Sequence, residues 1–276
     1  MYDFPELRRA HDTLWSAIAD RLDAAGVREV PERLTRSLGH KDLWRSPGLL
    51  LGQGCEYPLA TAFAGSLQLV GTPRYTAAGC EGYTYRSAVV VRADERTSDI
   101  AGMRDRRCAI NEPDSNSGMN LLRAALVALP GISSIADSGR PFFSSVTLSG
   151  SHRRSAELVA SGQADVAAID CVTFAHLQRF YSGTTANLRV LCWTPSSPSL
   201  PFITAASTDE ATLRVLRESL ADVLADGSAV LRSACEDLLL SGVNLQPDPE
   251  LSEVRRLMRQ AAALGLEAVL PGQTVT

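Results

Sequence analysis

Nowhere in the 276 residues does an apolar run approach the about 20 residues that a membrane-spanning helix needs, and the opening segment MYDFPELRRAHD has no apolar signal-peptide core. Basic residues are not in excess either. Against 31 acidic residues stand 27 basic ones, a formal charge of −4, which removes the electrostatic footprint of a general nucleic-acid binder. Six cysteines, at positions 55, 80, 108, 171, 192 and 235, form no C-x-x-C pair and no Cys/His cluster at zinc spacing, so no metal site is expected. Their scatter suits buried thiols of a reducing compartment, with as many as three disulfides left open. There is no internal repeat and no low-complexity tract. As it stands the chain reads as soluble and untargeted.

What remains is a globular composition, 45% apolar and 21% charged, in a length that suits one large or two medium domains with ample core. Any anion must then be held by local geometry. The stretch that offers it is Asn111–Ala128, NEPDSNSGMNLLRAALVA. A short apolar run, Cys108-Ala109-Ile110, ends in a polar turn that opens into a helix with Leu121, Leu122, Ala125, Leu126 and Leu129 at helical spacing. Ser115, Asn116, Ser117 and Gly118 are helix-start residue types. With the free N–H groups and positive dipole end of a helix they make an anion site. Plain capping would need only one of the three polar side chains.

Around this stretch the chain alternates. Phe4–Ala25 carries Leu7, Leu14, Ile18 and Leu22 on one helical face, closed by Gly26 and Pro31, and a further helical turn covers His40–Arg45. Leu49–Gly54 and Leu67–Val70 read as short buried strands flanking a helix at Tyr57–Ala64, and Tyr83–Arg92 is the longest strand signal. From Cys108 to Thr194 strands and helices take turns regularly, which implies βαβ units, a mainly parallel sheet and ligands at the carboxyl ends of its strands. The proline-rich run after Trp193 reads as a link between domains, Phe202–Ala205 as a strand, and the remainder as helices at Glu210–Leu224, Ala229–Leu240 and Leu251–Leu264.

Four stretches, GQGCEYPLA (52–60), CEGYTYRSAVVVR (80–92), INEPDSNSGMNLLRAA (110–125) and GSHRRSAELVASGQADVAAID (150–170), together resemble the phosphate- and phosphonate-type substrate-binding proteins of ABC importers. The resemblance implies an α/β, two-lobed, type 2 periplasmic-binding-protein fold. Each lobe would be a mainly parallel sheet with helices on both faces, with ligand held in the cleft between lobes and closure about a hinge. Lobe I would comprise residues 1–85 and 196–276, lobe II residues 86–195, and the crossings would fall near 85–89 and 192–195. Family members begin with a signal and a strand before a Met-Tyr-Asp-like segment. This sequence opens at Met-Tyr-Asp, so the expected location is cytoplasmic as the chain stands, and periplasmic or cell-surface if the N-terminus is truncated.

By the same resemblance Ser115, Asn116, Ser117 and Gly118 would hold phosphonate or phosphate oxygens. His152, after Ser149-Gly150-Ser151, would donate to the anion and be favoured charged beside it; read alone it is equally a capping-region surface histidine. Tyr57 and Tyr85 match aromatic cleft positions, where a ring covers the apolar part of a ligand. Asp170 ends the strand Ala164–Ile169 and either meets a ligand amine or caps the next helix. The position where a family acid is expected is Val172, which argues against an aminoalkyl ligand. Gln53 and Tyr2, at predicted strand ends, line the cleft or are ordinary buried strand-end residues.

The function expected is capture of a small phosphate- or phosphonate-like anion for an ABC permease by a monomer with no cofactor, no metal and no catalytic residue. The alternative is a cytoplasmic enzyme of the same fold acting on a small carboxylate, as in menaquinone biosynthesis, although no Ser-His-Asp order and no acid pair supplies an activated group. A ligand-sensing module that docks a partner through the C-terminal helices, especially Glu253–Leu264, is a third reading.

Overall fold

In the computed structural model residues 2–132 and 141–264 are described. Strands follow in chain order as β1 (Gly52–Gln53), β2 (Leu67–Tyr75), β3 (Thr84–Tyr85), β4 (Ser87–Arg92), β5 (Arg107–Ile110), β6 (Ser145–Leu148), β7 (Val166–Asp170), β8 (Leu188–Trp193), β9 (Ser197–Pro198), β10 (Phe202–Ala205) and β11 (Leu240–Asn244). The helices are α1 (Arg8–Ala24), α2 (His40–Arg45), α3 (Glu56–Ala60), α4 (Leu121–Val127), α5 (His152–Ala160), α6 (Cys171–Phe180), α7 (Ser182–Thr185), α8 (Glu210–Ala225), α9 (Ala229–Asp237) and α10 (Ser252–Ala263).

The chain divides into two compact units. Of the described residues, the first takes those through Thr76, Cys80–Thr84 and Pro198–Leu251; the second takes Ala77–Gly79, those between Tyr85 and Ser197, and those from Ser252 to Leu264. Main passages between them therefore lie at Thr84/Tyr85, Ser197/Pro198 and Leu251/Ser252. Strands β3 and β9, which straddle the first two, form a two-stranded ribbon.

A four-stranded sheet, order β1-β10-β2-β11, builds the first unit, and every neighbouring pair in it is antiparallel. That corrects the expectation of a mainly parallel sheet. Both β1 and β2 run antiparallel to β10, so they run the same way as each other, as a βαβ reading requires. But β10 inserts between them from far along the chain, pairing Gly52 with Ile203 and Leu69 with Ile203 on its two sides. On the outer part of β2, β11 pairs Val243 with Pro73; the sequence had suggested only helix and loop here, because LSGVN is short and broken by Gly242. Helix α1 packs on α8 and α9 through the expected stripe, with Leu14, Ile18 and Leu22 buried.

The second unit holds a five-stranded mixed sheet, order β6-β5-β7-β4-β8. Strands β5, β6 and β7 are parallel, as the regular alternation implied, and β4 alone is antiparallel to its neighbours β7 and β8. Val89, Val90 and Val91 of this inserted strand are fully buried. Each such aliphatic side chain contributes roughly 1.5–3 kcal/mol of transfer free energy, which secures β4 in the middle of the sheet. One boundary also differs. Residues 196–276 were assigned to lobe I, yet α10 packs on α4 of the second unit, where its stripe Val254, Leu257 and Ala261 is buried. An amphipathic helix goes where its apolar face is covered.

Candidate functional site

At the carboxyl ends of β5 and β6 the Ser149 N–H donates to the Ile110 carbonyl and the Gly150 N–H to the Asn111 carbonyl, both at 2.9 Å, so the loops after the two strands lie side by side. Gly150 sits at φ +80°, a left-handed turn that opens the way into α5. Ser115 is extended and caps the next helix: its Oγ accepts the Gly118 N–H at 2.9 Å. Residues Asn116–Asn120 form a π-helical turn before α4, and the Ser115 carbonyl accepts both the Met119 and the Asn120 N–H, at 3.3 and 3.0 Å. Such a turn re-aims side chains relative to a regular helix. Among the described residues the Ser117 backbone N–H meets no acceptor, and Ser117 is only 5% exposed.

The side chains of this turn divide into two sets. Ser117 Oγ lies 2.7 Å from His152 Nε2 and 3.4 Å from Ser115 Oγ. Asn116, with 0% exposure, turns inward: its Nδ2 donates to Tyr85 Oη at 3.1 Å and to Ser197 Oγ at 2.9 Å, while its Oδ1 accepts from Asn120 Nδ2 at 2.8 Å. Ser87 Oγ donates to the Ser117 carbonyl at 2.9 Å. Gly118 is required at its place, since a Cβ there would stand 1.8 Å from Asn111 Oδ1 and 3.2 Å from His152 Cε1.

His152 differs from the expectation of a charged imidazole. Burial pushes its pKa down from 6.5 to about 4, with the Ala168 backbone the one opposing influence. The ring is therefore neutral near pH 7. A hydroxyl against an imidazole is also the contact of a nucleophile and its base. Here burial makes the imidazole a weak base, and among the described residues no carboxylate or other partner meets Nδ1 to orient it, so the pair lacks the third member of an activated triad.

Of the other sequence candidates, Asp170 takes the capping role: its Oδ1 accepts the Thr173 N–H at 2.8 Å at the start of α6, beside Ser87 in the β4–β7 register. Val172, in the first turn of α6, is fully buried. Tyr85 joins the turn through Asn116, fully buried rather than presenting its ring. In the first unit Gln53 is occupied by structure, its Nε2 donating to Tyr75 Oη at 2.8 Å and to the Leu200 carbonyl at 3.0 Å. Tyr2 is buried edge-on to Tyr75, with ring centroids 5.3 Å apart. Tyr57, half-buried on α3, offers its carbonyl to Thr61 Oγ1. The structure thus brings together Ser115, Asn116, Ser117, Gly118, His152 and Tyr85 in the second unit and places Gln53, Tyr2 and Tyr57 in the first. Sequence reasoning missed Ser87, Asn111, Asn120 and Ser197. Only Asn120 carried a signal, its i,i+4 spacing from Asn116.

Comparison with known proteins places the family and the fold. The phosphonate periplasmic substrate-binding proteins of ABC transporters match residues 53–237 of the chain as a family. No curated protein matches it significantly by sequence. Among solved structures, the binding-protein component of an ABC phosphonate transporter from Pseudomonas aeruginosa superposes with a TM-score of 0.69 at 16% identity, over 93% of this chain and 83% of that one. PhnD1 from Prochlorococcus marinus in complex with methylphosphonate gives 0.67 at 13% identity, over 92% and 93% of the two chains. XAC2383 from Xanthomonas citri, bound to ATP, gives 0.63 at 14% identity, over 93% and 95%. These likenesses establish the α/β fold of type 2 periplasmic binding proteins, with mixed rather than purely parallel sheets. The chain belongs to the family of phosphonate substrate-binding proteins of ABC transporters.

Proposed function

We propose that the protein captures a small phosphonate- or phosphate-like oxyanion at the turn Ser115–Gly118 and presents it to an ABC permease. The observation that carries the reading is the Ser117 backbone N–H, a donor at a nearly buried helix start that meets no acceptor among the described residues. An unsatisfied buried donor costs about 1–3 kcal/mol, and an oxyanion at a helix start relieves that cost with help from the dipole. Ser115 and Ser117 add hydroxyls, and the neutral His152 holds Ser117 in place. Within the ligand class Val172, where an acid is expected by resemblance, and the capping role of Asp170 favour ligands without an amine.

Calorimetric and thermal-shift titrations with phosphate, phosphite, methylphosphonate and aminoethylphosphonate test this. The expected outcome is saturable binding of at least one of the first three, with aminoethylphosphonate weaker. No binding of any of them by protein of verified folding would sink the assignment.

A further inference from the structure

The two sets of side chains at the turn point in different directions, and the inward set leads to the backbone passages between the units. Tyr85 is the first residue and Ser197 the last of the long middle segment of the second unit. Asn116 hydrogen-bonds both through one amide nitrogen, at 3.1 and 2.9 Å, and Asn120 fixes the amide's orientation from the other end. A second tie runs from the turn's backbone, where the Ser117 carbonyl accepts from Ser87 Oγ. The entering and leaving segments are also bonded to each other: Ser87 N–H donates to Thr194 Oγ1 at 2.9 Å, Thr194 N–H to the Ser87 carbonyl at 3.0 Å, and Arg86 Nη1 to the Thr194 carbonyl at 3.0 Å. All of these groups lie in one unit, and Asn116, Tyr85 and Ser197 are at most 1% exposed.

We infer that Asn116 is a positioning residue rather than a ligand contact: it joins the anion-binding turn to the passages at Thr84/Tyr85 and Ser197/Pro198, so that turn and these two passages order as one piece when the turn is occupied. The inference rests on the proposed function and specifies how occupancy of that site is felt elsewhere. Burial keeps the amide out of a ligand's reach, and an asparagine is the right group for the task. Its planar amide gives two donors and an acceptor on a short side chain, so one residue can serve two hydroxyls and still be held by a third partner. Such a fully satisfied buried network admits few alternative arrangements. Rearrangement at the turn therefore reaches residues 85–87 and 194–197 directly.

The test compares the full-length protein with Asn116→Ala and with Ser197→Ala, which removes one hydroxyl outside the turn and keeps the turn itself intact. Hydrogen exchange is measured with and without methylphosphonate. In the wild type the ligand is expected to slow exchange at residues 115–120 and also at 85–88 and 194–197. In either variant only 115–120 should respond, and affinity should fall about 3–10-fold, the equivalent of one buried hydrogen bond. Passage segments that respond alike in all three proteins would overturn the inference. If the wild type binds no anion, the functional reading fails instead, and exchange of the unliganded proteins decides the present point. Faster exchange at 85–88 and 194–197 in Asn116→Ala supports the joint, and unchanged exchange there overturns it.

Discussion

The two units hold polar side chains of similar kind and use them differently. In the first, Gln53 spends its amide on Tyr75 and Leu200, Gln68 donates to the carbonyls of Ala206 and Thr208, and Arg217 donates to the carbonyls of Leu69 and Val70. These groups finish the hydrogen bonding of sheet edges and loops. In the second, serines, asparagines and one histidine from β4, α5, the stretch after β8 and the turn before α4 converge on residues 115–118. One set closes the backbone's own account; the other leaves the Ser117 N–H without an acceptor among the described residues. The contrast teaches that satisfaction, more than polarity, separates a structural cluster from a binding one, and it can be broken by experiment.

The largest effect is expected from Gly118→Val. Its Cβ would meet Asn111 Oδ1 at 1.8 Å, and the added methyls would press on His152. Overpacking of this kind costs about 1–3 kcal/mol, and displacement of His152 should abolish methylphosphonate binding in the same titration. Gly183→Ala, in the same unit, meets no atom within 4 Å and should leave both affinity and the urea midpoint unchanged. Equal damage from the two substitutions would refute a tightly packed turn.

Next in size is the response to acid. His152 has a pKa of about 4 in the folded chain against 6.5 for the ordinary side chain. Between those values the unfolded chain binds the more protons, so this contribution is fully present above pH 6.5, falls as the pH drops, and levels off below about 4. The loss is on the order of 3 kcal/mol. His11 in the first unit is also lowered, by burial above all, and loses stability in the same direction. His152→Gln should flatten the second unit's part of the profile in urea melts run from neutral to acidic pH and leave that of His11. A variant as acid-sensitive as the wild type would remove His152 as the cause.

How much of this could be read beforehand follows from which interactions are local. The βαβ run from β5 to β8 was legible because apolar periodicity and turn residues repeat within a few tens of positions. The antiparallel insertions were not, since nothing near Phe202 or Ser87 announces a partner as remote as Gly52 or Asp170. At the site, residue types and helix-start position marked Ser115, Ser117 and Gly118. The inward turn of Asn116 was hidden by the π-helical turn, which departs from the 3.6-residue period on which a sequence pattern depends. Ser197, within a proline-rich link, offered no local sign of its role.

The smallest effects make the sharpest comparison, because they should appear in opposite measurements. Ser117→Ala removes the hydroxyl 2.7 Å from His152 while the first unit's sheet is untouched. Affinity for methylphosphonate should fall about tenfold or more, as expected for a hydrogen bond to a charged group, with stability changed by about 1 kcal/mol or less. Gln53→Ala should do the reverse: two hydrogen bonds to Tyr75 and Leu200 are lost, stability drops by about 1–2 kcal/mol, and affinity stays within about twofold. Calorimetry and urea melts on the same preparations separate the two. If Gln53→Ala weakened binding as strongly as Ser117→Ala, the amide of Gln53 would have to serve ligand as well as sheet, and hydrogen-bond satisfaction would no longer divide the two clusters.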